Sequence, residues 1–145
     1  MKNGGIKCYC AKLRRAGNKI ASLYNRYLEP VGITSGQYAL LSSLKKYGPV
    51  SVSGLAEKME LERTTLVRNL KPLEMRGYVQ DTAQTGRGRK LELTPEGEQV
   101  RQEAKFLWTQ AQQYLEEQLG CERMEQFQEI VGKIEEMELP FCEEK

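Results

Sequence analysis

Apolar and small residues recur at positions 6, 10, 13, 17, 20, 24 and 27, three or four apart, with polar and charged residues between them. An α-helix with one buried side needs this period, so a long first helix is expected over Ile6–Leu28, ended by Pro30 and Gly32. Tyr38, Leu41 and Leu44 share a face of a second helix that follows Thr34 and stops at Gly48-Pro49. Ser51 or Ser53 can cap a short third helix carrying Leu55, Ala56 and Met59. After a turn at Glu60-Leu61 a fourth helix runs to Arg76, with Leu66, Leu70 and Leu73 inward and Gly77 as a left-handed stop. Pro72 lies inside it, where it removes an amide and crowds the carbonyl of Arg68, so a bend or loosened turn is expected there.

Two short strands follow, Tyr78–Thr82 and Lys90–Leu93, joined by a tip over 84–89 in which Gly86 and Gly88 supply the permissive backbone a turn needs. Thr94 caps a fifth helix with Pro95 at its first position, and the stripe at 100, 104, 107, 111, 114 and 118 carries it to Gly120. A sixth helix uses Met124, Phe127, Val131, Ile134 and Met137 and ends before Pro140. The expected fold class is mainly α, within α+β: a winged helix-turn-helix over 35–95, between an N-terminal dimerisation helix (1–34) and C-terminal dimerisation helices (96–145). The long first, fifth and sixth helices carry more apolar stripe than so small a central core can cover. A second copy of the chain is the economical cover, since two-fold symmetry is the usual solution.

Charge sharpens this picture. The net charge of the 145 residues is only +2, but residues 1–30 carry seven Lys/Arg against one acid, and residues 63–90 carry seven against Glu74 and Asp81. From Glu116 onward ten Glu face three cations. The central basic block coincides with the paired helices and ribbon, an arrangement that lays one helix in the DNA major groove and a positive tip on the backbone beside it. Double-stranded DNA is therefore the expected partner. The chain has no histidine, which removes the commonest general base and metal ligand and leaves no Ser-His-Asp or Cys-His arrangement; an enzyme is not expected, and neither is a cofactor. No apolar run is long enough to span a bilayer, and the N-terminus lacks the apolar segment of a signal peptide. Four cysteines without an export signal suggest free thiols in a reducing, cytoplasmic setting.

The segments GITSGQYALLSSL (32–44), VSGLAEKMELERTTLVRNLKPLEMRGYV (52–79) and LELTPEG (91–97) occur in an order and spacing that resemble the MarR family of winged-helix regulators. The resemblance implies a homodimer on a pseudo-palindromic operator, usually a repressor released by a small molecule or an oxidant. It places the recognition helix from Arg63, with Thr64 and Thr65 in the first turn where hydroxyls and open amides hold phosphate. Arg63, Val67, Arg68 and Asn69 are the groove candidates, because Arg can pair guanine, Asn adenine, and Val can touch a thymine methyl. Lys71 is better placed for phosphate. In the wing, members commonly carry Asp-Arg-Arg where this chain has Thr85-Gly86-Arg87. Arg87 keeps the arginine that reaches the minor groove but lacks the acid that would orient it, while Arg89 and Lys90 add backbone attraction.

Two switches follow from the same resemblance. Cys10, close to Cys8, aligns with the reactive cysteine of the OhrR-type peroxide sensors in this family, and Tyr24 and Tyr38 fall where those sensors place tyrosines that bond the thiolate. Lys7, Lys12 and Arg14 surround it with the positive charge typical of reactive thiols. Arg14 replaces a tyrosine of those sensors, and the position of Cys10 on the apolar stripe equally suits a structural cysteine. Cys121 and Cys142 stand as resolving thiols only if the sulfurs approach. Alternatively a small amphipathic effector settles where the dimer helices meet the winged body, beside Tyr24, Tyr38 and Trp108. A C-x-C pair without histidine is a poor zinc signature, so no metal site is expected. A winged helix serving protein–protein contact alone is the reading from another class.

Overall fold

The computed structural model describes residues 8–82 and 88–140, and divides into a unit over residues 1–109 and a second over residues 110–145. In the first unit, helix α1 (Tyr9–Leu28) runs into a 3₁₀ turn, Glu29–Val31, closed by Gly32 at φ 69°. Thr34 then caps α2 (Ser35–Tyr47) reciprocally: its Oγ1 accepts the Gln37 amide at 3.2 Å, and Gln37 Oε1 accepts the Thr34 amide at 3.0 Å. Such a box satisfies two otherwise open donors. Asn25 of α1 accepts the Ser35 amide at 2.7 Å, tying the two helices at this junction.

Of the two serines able to cap α3 (Val52–Lys58), Ser51 does so, accepting the Gly54 amide at 3.0 Å. Helix α4 (Arg63–Met75) is continuous through Pro72 and buries Leu66, Leu70 and Leu73, the residues its period selects. It ends as glycine allows. With Gly77 at φ 78°, the Gly77 amide bonds the Glu74 carbonyl at 3.0 Å and the Tyr78 amide bonds Leu73 at 2.9 Å, a Schellman closure.

Strands β1 (Val79–Asp81) and β2 (Leu91–Leu93) pair antiparallel, with Val79 opposite Leu93 and Asp81 opposite Leu91. Both are shorter than the sequence pattern suggests. Val50 adds a bridge that the pattern does not reveal, exchanging both backbone bonds with Leu91 at 3.0 and 2.7 Å. Thr94 caps α5 (Pro95–Leu119) by accepting the Gly97 amide at 3.0 Å, and its hydroxyl donates to the Gly77 carbonyl at 2.6 Å. One side chain thus fixes the start of α5 to the end of α4. The fully buried Leu28, Leu40, Leu41, Leu55, Leu66, Leu70, Leu73 and Leu91 form the centre of the core. Three helices with a ribbon at their end make this a winged helix-turn-helix.

Gly97 is needed for a close backbone approach: a Cβ there would lie 2.0 Å from the Tyr78 carbonyl oxygen. Neither backbone can yield without loosening the Thr94 cap. Gly97→Ala is expected to destabilise the fold by about 1–3 kcal/mol, read as a lower urea midpoint with an unchanged slope.

In the second unit, Gly120 at φ 81° separates the end of α5 from α6 (Cys121–Glu135), which buries none of its residues. Phe127, Ile130 and Ile134 stand exposed along one face of α6. Elsewhere, Tyr9 and Leu13 of α1 and Phe106 and Tyr114 of α5 are also exposed. No helix among the described residues is long and apolar enough to cross a membrane.

Candidate nucleic-acid interface

At about 100° per residue, Arg63, Thr64, Val67, Arg68 and Lys71 fall within an arc of about 140° on α4. All five are exposed, whereas Leu66, Leu70 and Leu73 occupy the opposite side. Three cations, a hydroxyl and a branched apolar side chain therefore share one outward face. Glu62, the residue before the helix, makes no side-chain cap, and the first turn carries no acid. The open amides and positive dipole end of the helix lie at the same end of α4 as Thr64. Pro72 contributes as well: lacking an amide, it leaves the Arg68 carbonyl without its usual helical donor.

Two of the expected residues stand off this face. Thr65 and Asn69 are half-buried, and Asn69 Nδ2 would lie 3.8 Å from a Cβ built on Gly36 of α2. Asn69 thus packs toward α2, about 100° around the helix from Arg68.

At the ribbon, Arg87 lies outside the described residues. Arg89 and Lys90 are exposed, but they differ in what holds them. The Arg89 Nε donates to Asp81 Oδ2 at 3.2 Å, and its Nη2 forms a short ion pair with Glu74 Oε1. The Lys90 backbone amide donates to the other Asp81 oxygen at 3.1 Å. Glu74 and Asp81 escaped the sequence reading as site residues, although they are the only acids in the basic block 63–90. That isolation was the available signal.

A second cluster links α1, α2 and α5 within the first unit. The Trp108 ring lies 5.7 Å from that of buried Tyr38 and 6.4 Å from that of half-buried Tyr24. The three residues proposed for an effector crevice are therefore brought together. Nearer the start of α5, Arg101 grips Glu98 with both arms at 2.7 and 2.8 Å, and Lys45 of α2 approaches Glu98 at 3.4 Å. The hydrogen bonds from Arg101 chiefly hold the Glu98 carboxyl at a pKa of about 2, below its ordinary 4.5. A depressed carboxyl stabilises the fold above the unfolded value and ceases to do so as pH falls through the folded value. Glu98→Gln is expected to lower stability by about 1 kcal/mol at neutral pH. The difference from the parent should shrink below about pH 4.5 and vanish near pH 2, as urea unfolding across that range would record.

Cys8, Cys10 and Cys121 are exposed thiols, and Arg14 Nη2 approaches Cys10 Sγ at 3.9 Å. Cys142 lies outside the described residues. Tyr24 follows Cys10 by fourteen residues on one helix, about 21 Å along its axis. A tyrosine at that position can reach a Cys10 thiol only if the thiol belongs to another copy. Among the described residues, no group of three or more His, Cys, Asp or Glu is placed to hold a metal ion.

Comparison with known proteins gives consistent results. Residues 33–90 match the MarR family. The M. tuberculosis transcriptional regulator MosR, solved in complex with DNA, is 31% identical with a TM-score of 0.74; the match covers 90% of this chain and 97% of that one. The apo form of MarR from E. coli superposes with a TM-score of 0.70 at 22% identity, over 90% of this chain and 98% of that one, a likeness of fold. The HTH-type transcriptional repressor MdtR of Bacillus subtilis (strain 168) is 36% identical over 73 residues, 49% of this chain and 47% of its own length. The matched segments span about half the length of the curated relatives.

Proposed function

The chain belongs to the MarR family, and from this premise we infer that it is a sequence-specific DNA-binding regulator, a repressor acting as a homodimer on a pseudo-palindromic operator. The observation that carries the reading is the exposed face of α4, where Arg63, Arg68 and Lys71 project beside Thr64 and Val67. The α4 face would enter the major groove, with Arg63, Arg68 and Val67 against base edges and Thr64 and Lys71 against phosphate. Arg87 and Lys90 would extend the contact from the wing. Residues 35–95 then form the DNA-binding part, with 1–34 and 96–145 serving dimerisation. Binding to duplex DNA followed by fluorescence anisotropy tests this. With several phosphate contacts per dimer, affinity should fall by about 10³-fold or more between roughly 50 and 200 mM salt. Salt-independent or absent binding would leave the winged helix as a protein-contact module.

Release is assigned to a small amphipathic effector beside Tyr24, Tyr38 and Trp108, whose rings supply an apolar wall with two hydroxyls. A thiol switch is the second reading, favoured by the exposure of Cys10 and its contact with Arg14. If the thiol is the switch, a hydroperoxide would oxidise it to a sulfenic acid, which condenses with a second thiol and releases water. Cys10→Ser should then retain DNA in peroxide while the parent lets go. Equal retention by both proteins with Cys10 oxidised would remove the thiol reading.

A further inference from the structure

We propose that Arg89 is a positioning residue that clamps the wing to the end of α4, rather than a residue that meets phosphate. This rests on the DNA-binding reading. One guanidinium reaches two elements from the arm of the wing that leads into β2: Asp81 at the end of β1, and Glu74 in the last turn of α4. Around it the ribbon is tied closely just before the tip. Asp81 takes the Lys90 amide at 3.1 Å, and the Thr82 amide and hydroxyl donate to the Lys90 carbonyl at 2.8 and 3.3 Å. Gln80 and Glu92 bond across the strands at 2.8 Å.

The charges argue against a phosphate contact. Arg89 sits between two carboxylates, so a phosphate meeting it must displace one and bring its own charge beside the other. The planar fork of arginine suits two separate acceptors, and a lysine ammonium would reproduce this poorly. Mechanical need argues the same way. A two-stranded ribbon of three paired residues per strand holds little structure of its own. The Val50 bridge and buried Val79 and Leu91 anchor the base of the ribbon; nearer the tip its direction depends on side-chain ties, and Glu74–Arg89 joins that end directly to the reading helix. The tip can rest on DNA while α4 lies in the groove only if this angle is kept.

The test uses the full chain, with the variants Arg89→Gln and Glu74→Gln. Two readouts are taken: affinity for a duplex selected by the parent at several salt concentrations, and amide hydrogen exchange of the DNA-free protein. A clamp makes Glu74→Gln bind about three- to tenfold more weakly, although the change removes a negative charge near DNA. Arg89→Gln should weaken binding similarly with the salt slope of the parent, and exchange at the Thr82 and Lys90 amides should quicken in both variants. The proposal is overturned if Glu74→Gln binds as tightly as the parent or tighter, or if Arg89→Gln lowers the salt slope by about two per dimer. Should the parent bind no duplex, the DNA-binding reading itself fails. Exchange then decides alone: quickened Thr82 and Lys90 amides in both variants keep the clamp, and unchanged ones refute it.

Discussion

Arg68→Ala should weaken operator binding by about 30-fold or more and blur sequence choice at one position in each half-site. A good arginine–base pairing is worth about 1–3 kcal/mol, and a two-fold dimer forgoes it twice, giving about 2–6 kcal/mol. Arg68 is exposed in the middle of α4, with Leu66 and Leu70 fixing the helix beneath it, so the variant should fold as the parent does. Lys71→Ala offers the contrast. Removing one phosphate partner from each copy weakens binding to all sequences alike and lowers the salt slope by about two per dimer. Titrating both variants against the operator and against duplexes changed one base pair at a time separates the two effects. Unchanged affinity and discrimination in Arg68→Ala would show that α4 is not the reader.

The second large effect concerns assembly. Ile130→Glu combined with Ile134→Glu should convert a dimer to monomers and abolish operator binding with it. Phe127, Ile130 and Ile134 lie within an arc of about 60° on α6, and all three are exposed in the single chain. Burying side chains of this size contributes about 1.5–3 kcal/mol each, and the double change removes two from each copy while placing carboxylates in the contact. Charge supports a second copy as the cover, since residues 1–30 are strongly basic and the chain beyond Glu116 strongly acidic. Light scattering at about 10 µM should give twice the mass of the chain for the parent and a single mass for the variant. A monomeric parent would contradict the assembly and, with it, the paired half-sites.

Much of this fold was legible in the sequence because the signals concerned are local. Thr34, Ser51 and Thr94 each sit just before a helical stripe, where a hydroxyl within three residues of an open amide can accept it, and all three are caps. The period of Leu66, Leu70 and Leu73 fixed which side of α4 is buried, and hence that Arg68 and Lys71 point out. Legibility ended where partners come from far along the chain. Val50 is a single residue between Pro49 and Ser51, too short to show alternation, and only Leu91 makes it a bridge. Asn69 lies next in sequence to exposed Arg68 and buried Leu70, and its half-burial comes with its approach to α2 at Gly36, thirty-three residues back along the chain. The pairing of Arg89 with Glu74 crosses fifteen residues and a whole strand, so composition shows a basic wing where the structure shows a neutralised base beneath its tip.

Selection of bound sequences from random duplex DNA by the full chain tests the central claim most directly. A DNA-reading dimer should enrich a two-fold symmetric motif whose half-site centres lie about 10 base pairs apart, with Arg68→Ala loosening one position in each half. Recovery of sequences without symmetry or enrichment, at salt low enough for any basic protein to bind, would contradict it.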